Sequence, residues 1–243
     1  MNVLLLGGTS EARTLAARLY PGVAVISSLV GRVPDPALPV GDVRIGGFGG
    51  VDGMRRWLSE SEVDAVVDAT HPYAATITAN AAKACGALQI PHLVVVRPAW
   101  PQGEAIPATS DVDAAKAVQE NGFQRVFLTT GRSGVEVFSD VEAWFLIRAV
   151  TAPDPHTLPR HHEIVLSRGP YRYDDERALL TEHRIDCLVT KNSGGAMTRP
   201  KLDAAAALGI PVVMVDRPPL PDGVATVSTV DDAVAWVSSV GRS

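Results

Sequence analysis

The chain has 243 residues, 46% of them hydrophobic and 20% charged, with a formal net charge of −5. That is enough apolar material for one large or two small soluble domains, and the acidic balance argues against nucleic acid or a membrane surface as partner. Val3 to Leu6 is too short an apolar run for a signal peptide or a span, which points to the cytoplasm, and Cys85 and Cys187 have neither disulfide nor metal spacing and read as buried thiols.

From the N-terminus, short Val/Ile/Leu runs at 3–6, 23–27, 43–45, 64–68 and 92–96 alternate with helical patterns at 10–20, 51–61 and 75–87. Near-continuous apolar strands between amphipathic helices predict a parallel sheet covered on both faces. The pattern then starts again, with strands expected at 126–130, 144–149, 163–167, 186–190 and 212–215. Apolar stretches near 105–108 and 224–227 add an edge strand to either sheet, and their exchange between the halves is allowed.

The second run is a copy of the first at an offset near 122. Arg55 falls on Arg177, Leu58 on Leu180 and Asp64 on Asp186, while Val3 falls on Arg125 or Val126. Further on, "IPHLVVVRP" (90–98) matches "IPVVMVDRP" (210–218), and "TSDVDAAKAV" (109–118) resembles "STVDDAVAWV" (228–237). So many matches in one order predict an α/β protein of two Rossmann-like, doubly wound parallel-sheet domains related by internal duplication. The expected division is residues 1–105 and 106–243, with the boundary between 100 and 125.

Ligands of open parallel sheets bind outside the carboxyl ends of the strands. In the first copy those loops are small and Gly-rich. "GGTSEA" (7–12) keeps the small residues, N–H groups and helix dipole that a phosphate needs, without the third glycine of GxGxxG. "GGFGG" (46–50), with Gly47 and Phe48, lets backbone approach a flat or phosphorylated ligand. Where an NAD-binding fold places an acid, this chain has Ser27 and Ser28 followed by Arg32, which favours a 2′-phosphate and hence NADPH. In "DATHPYA" (68–74), His71 can donate a proton or a hydrogen bond, with Tyr73 a weaker candidate.

The second copy presents cations at its strand ends: Arg132, Arg148, Arg168, Arg172, Lys191 and Lys201. One half reads as a nucleotide site and the other as a site for a ligand with several anionic groups. His156, His161 and His162 lie in a proline-rich stretch that reads as a lid; they complete no metal-ligand spacing, and no metal is expected. There is no Walker A sequence, no GxSxG elbow and no Tyr-xxx-Lys pair. A two-lobed small-ligand binding module is the rival from another class.

Taken together and in order, "GGTSEA", "DATHPYA", "TGR", "KNSGG" and "IPVVMVDRP" resemble the precorrin-6A reductase family of cobalamin biosynthesis, over essentially the whole chain. The resemblance implies NADPH-dependent reduction of one double bond in the macrocycle, on metal-free or cobalt-loaded substrate. It implies coenzyme on the first half, at Gly8, Thr9, Ser10, Glu11 and Ala12, with Thr70 and His71 near the junction. It implies tetrapyrrole carboxylates on the second half, at Arg132, Lys191, Ser193, Gly194 and Lys201. A monomer is expected, with a handover of product to the next pathway enzyme.

Overall fold

The computed structural model describes residues 1–31 and 38–241. It begins with β1 (Asn2–Leu6), α1 (Ser10–Leu19), β2 (Ala24–Leu29), β3 (Asp42–Ile45), α2 (Gly50–Glu60), β4 (Ala65–Asp68), α3 (Ala75–Leu88) and β5 (His92–Val95). It continues through β6 (Ile106–Ala108), α4 (Asp111–Glu120), β7 (Arg125–Leu128), β8 (Trp144–Ala149), β9 (His161–Leu166), α5 (Tyr173–Glu182), β10 (Cys187–Lys191), α6 (Pro200–Ala207) and β11 (Val212–Val215). It ends with β12 (Ala225–Val227) and α7 (Val230–Val240).

There are two six-stranded sheets, ordered β12-β5-β4-β1-β2-β3 and β6-β11-β10-β7-β8-β9, and every adjacent pair is parallel. Each has the doubly wound order in which the chain reverses direction beside the first strand of its copy, β1 or β7. The alternation of side chains along β1 covers both faces. Val3 and Leu5 pack with Leu15, Ala16 and Leu19 of α1 and with Ala233 and Val237 of α7, while Leu4 and Leu6 pack with Met54 and Leu58 of α2 and Ala81 and Cys85 of α3. In the other sheet Phe127, Leu146, Leu188 and Met214 pack with Leu180 of α5 and Leu202, Ala204 and Ala205 of α6.

The duplication is visible in hydrogen bonds. The Asp64 carboxylate accepts from the Asn2 N–H at 2.7 Å and the Asp186 carboxylate from the Arg125 N–H at 2.9 Å. Asn2 therefore corresponds to Arg125, which places Val3 on Val126. After the helices, Val63 N–H donates to Leu58 O and Ile185 N–H to Leu180 O, the same turn 122 residues apart.

The edge strands are exchanged. β6, from the end of the first copy, pairs with β11, and β12, from the end of the second, pairs with β5. Residues 1–98 group with the C-terminal segment from Pro218, and Ala99–Arg217 form the other unit. The expected division at 105/106 differs from this, because both copies leave their own sheet after the fifth strand. The connectors, "RPAWPQG" (97–103) and "RPPLPDG" (217–223), are alike and proline-rich, and proline fixes φ and lacks the N–H a sheet ladder needs. The first crossing is anchored by buried Trp100, whose N–H donates to Asn192 Oδ1 at 2.9 Å and whose carbonyl accepts from Asn192 Nδ2 at 3.1 Å.

Candidate active site

In the first unit, β1 delivers Gly7 and Gly8 to the carboxyl edge of the sheet. Gly8 has φ +112° and open space where a Cβ would stand, so the backbone is accessible there. Thr9 caps α1, its Oγ1 accepting from the Ala12 N–H at 3.1 Å and donating to the Ala69 carbonyl at 2.6 Å. This hydroxyl is spent on structure; what Thr9 and Ser10 offer a ligand is backbone. Ala12 is buried against the sheet.

Glu11 places a carboxylate in the first turn of α1, beside the loop. Arg97, at the end of β5, holds its carboxylate at 2.9 Å, and Ser10 Oγ donates to it at 2.9 Å. Burial alone would raise the Glu11 pKa, but its own N–H, the Arg97 charge and these hydrogen bonds lower it. The carboxylate is therefore ionised and neutralised in place, and it leaves the loop open to an anion.

At the end of β2, Ser27 and Ser28 are buried, and the Ser27 hydroxyl makes no hydrogen bond among the described residues. Arg32 lies outside the described residues. The neighbouring strand brings Arg44 beside Ser28, in register. Arg44 Nη1 donates to Ser28 Oγ at 3.2 Å and to the Gly46 carbonyl at 2.6 Å, and Nη2 donates to the Gly47 carbonyl at 2.8 Å. Its guanidinium lies 3.7 Å from the Phe48 ring centroid, and that ring meets Trp57 edge-on at 5.4 Å. Gly47 is exposed and Phe48 half-buried, so Phe48 serves the packing of α2 as well as the loop surface.

At the end of β4, buried Asp68 accepts from the Thr70 N–H and hydroxyl at 2.9 and 2.6 Å and from the Thr78 hydroxyl at 2.6 Å. The Thr70 side chain is thus turned inward to hold the loop. Next to it His71 is exposed; its Nδ1 receives the Tyr73 N–H at 3.4 Å, and the two rings are tilted at a centroid separation of 5.6 Å. Accepting at Nδ1 puts the proton of the neutral imidazole on Nε2.

The cations of the second unit divide into two groups. Arg132, in a short 3₁₀ turn after β7, is exposed and lines a cavity of about 460 Å³ with Ser133, Glu136, Asp154 and Thr157. The stretch read as a lid supplies one wall of that cavity, although His161 and His162 belong to β9 rather than to a loop. Arg168 is exposed beyond β9. Lys191, at the end of β10, is mostly buried and pairs with Asp111 at 3.1 Å. Ser193 and Gly194 follow in a tight loop, where the Ser193 N–H donates to the Lys191 carbonyl at 2.7 Å and Gly194 has φ +70°.

Arg148 and Lys201 do not fit the expected role. Arg148 is 6% exposed, its two terminal nitrogens bind Glu176 at 2.7 and 2.5 Å, and its plane lies over the rings of Tyr171 and Phe127 at 4.0 and 4.5 Å. A guanidinium so enclosed holds α5 to the sheet and is withdrawn from direct ligand contact. Lys201 is 5% exposed, 5.6 Å from the Trp100 ring, and burial foremost, with the Arg148 charge behind it, lowers its pKa to about 7. Both lie at helix or strand ends as their sequence positions require, but pointing into the unit. Arg44, Arg97 and Asp111 are not among the site residues expected from sequence. Arg97 stands in a strand-end loop; Asp111 carries no local signal, because it reaches Lys191 only through the exchanged β6 and α4.

Among the described residues no group of three or more His, Cys, Asp or Glu could hold a metal ion, and no helix is long and apolar enough to cross a membrane. A family model described as "Precorrin-6x reductase CbiJ/CobK" matches residues 2–238. The chain belongs to that precorrin-6x reductase family. Within it, the precorrin-6A reductase of Mycobacterium tuberculosis is 65% identical over 238 residues, 98% of each chain. A cobalt-precorrin-6A reductase of Priestia megaterium is 28% identical over 259 residues, 99% of this chain and 100% of the other. The solved structure titled "CobK precorrin-6A reductase" superposes with a TM-score of 0.89 at 34% identity, covering 99% of this chain and 97% of that one. The two parallel α/β sheets described above are thus those of a precorrin-6x reductase.

Proposed function

We propose that the protein reduces one double bond of the precorrin-6A macrocycle to the dihydro form in cobalamin biosynthesis, with NADPH as reductant. The observation that carries this reading is the near-full-length likeness to precorrin-6A reductases. The much lower identity to cobalt-precorrin-6A reductases favours the metal-free macrocycle as substrate; the cobalt-loaded form is the second reading.

The residues of the first unit fit a dinucleotide. Gly8, Thr9 and the first-turn N–H of Ser10 supply uncrowded backbone donors for a diphosphate, Glu11 is neutralised by Arg97, and no carboxylate follows β2 within residues 24–31. When bound, NADPH supplies the hydride. Thr70, locked by Asp68, fixes the backbone from which His71 projects, and His71, acting as the imidazolium, is the candidate donor of the proton that completes the reduction. Arg132, Arg168 and Lys191, with Ser193 and Gly194, bind the carboxylate side chains of the macrocycle by charge-assisted hydrogen bonds; Tyr73 lies beside His71. The protein acts as a monomer in the cytoplasm, which suits two free thiols that burial pushes up to about 12.

The test is to mix purified protein and precorrin-6A with NADPH or NADH and follow nicotinamide oxidation together with the macrocycle's visible spectrum. NADPH should be consumed as the spectrum changes, and NADH should serve poorly. A spectrum unchanged in the presence of NADPH would overturn the reading.

A further inference from the structure

We propose that Arg44 is the residue that recognises the 2′-phosphate of NADPH. This inference rests on the coenzyme reading above and adds a specificity determinant to it. Three observations point to the side chain. First, position: β1, β2 and β3 are adjacent, so two strand spacings, about 10 Å, separate the Gly7–Gly8 turn from the end of β3. A dinucleotide with its diphosphate at Gly8 runs its adenosine ribose along that edge, past the end of β2. Arg44 stands there, its guanidinium drawn to the carboxyl end of β3 by the Gly46 and Gly47 carbonyls.

Second, charge. Glu11 neutralises Arg97, Asp111 neutralises Lys191, and Glu176 neutralises Arg148. Arg44 is half-buried and makes no ion pair among the described residues, although Asp42 lies two residues back on the same face of the strand. An arginine keeps its charge when partly desolvated, so the Arg44 guanidinium can take an anion as its counter-charge.

Third, donor geometry. A guanidinium has five N–H groups. Two on Nη1 go to Ser28 and Gly46, and one on Nη2 goes to Gly47. Among the described residues the Nε–H and the second Nη2–H meet no acceptor. These two lie on one edge of the planar group, which is the fork that binds a phosphate through two oxygens. The guanidinium also lies over the Phe48 ring, 3.7 Å from its centroid, which steadies the group.

The experiment compares the intact protein with R44Q and R44K, titrating each with NADPH, NADH and adenosine 2′,5′-bisphosphate by nicotinamide fluorescence and calorimetry. R44Q should weaken NADPH and the bisphosphate about 10- to 100-fold, the loss of one charge-assisted contact pair, and leave NADH unchanged. R44K should recover part of the loss, since it restores charge without the fork. Equal weakening of NADPH and NADH would mean that Arg44 only braces the Gly46–Phe48 loop, and an unchanged preference would mean that it has no part in recognition; either overturns the proposal while leaving the coenzyme reading intact. If the wild-type protein binds NADPH no better than NADH, the coenzyme reading fails and this inference falls with it.

Discussion

At the scale of single residues, Lys201 shows how far environment can move a side chain from the role its position suggests. It is enclosed by Trp100 and by the Arg148–Glu176 pair, and its folded pKa of about 7 lies below the 10.5 of an ordinary lysine. Between those two values the unfolded chain holds a proton that the folded chain has released, so the stability owed to this residue rises with pH across that window. It is fully present above the higher value and lost as pH falls through about 7. Lys201→Met removes the titration. Urea denaturation from about pH 7 to about pH 10 should therefore show the stability advantage of the variant shrinking as pH rises. A difference that stays flat would mean that Lys201 is not buried as a neutral amine. Sequence position gave the correct strand end for Arg148, but its partner Glu176 comes from α5, and nothing local marks a bidentate pair 28 residues apart.

At the scale of elements, α1, α4 and α7 start at a Ser or Thr that the chain supplies locally. Thr9, Ser110 and Thr229 each cap a helix by accepting the N–H three residues on, at 3.1 Å in all three cases. Thr229→Ala should cost about 1 kcal/mol, the usual value for a lost side-chain cap, measurable as a lower urea midpoint with an unchanged slope. A loss below a few tenths of that would show that α7 is held by packing alone. Strands were legible for the same reason: Val, Ile and Leu in short runs have nowhere to go but a sheet covered twice, and each expected run lies within a residue or two of a strand. β9 is the informative miss. It begins two residues early, at His161, because an edge strand needs backbone pairing with β8 and not apolar side chains.

At the scale of the whole molecule, the exchange changes which residues belong together. Val237 is fully buried in the core formed with Leu15, Ala16 and Leu19, more than 200 residues earlier in the chain. Val237→Asp places a carboxylate in that core at a cost of several kcal/mol. Hydrogen exchange should then show lost protection in β1 and β4, with β7 and β10 retained, and coenzyme affinity should fall. Loss confined to β7 and β10 would contradict the exchange.

The sequence by itself determined the duplication, the parallel α/β class, the small neutral loops of the first copy and the cationic strand ends of the second. These are local properties: residue type and periodicity decide whether a segment becomes strand or helix, and a loop's chemistry travels with it. It also carried enough ordered motifs to identify the family. What only the tertiary structure decided is pairing. β6 pairs with β11 and β12 with β5, and no local pattern in either three-residue strand names its partner. The same holds for charge. Arg97, Arg148, Lys191 and Arg44 are all strand or strand-end cations in sequence, and only the fold shows that, among the described residues, three of them meet a carboxylate and the fourth does not, because an ion pair is a contact between distant segments and leaves no periodic mark on either.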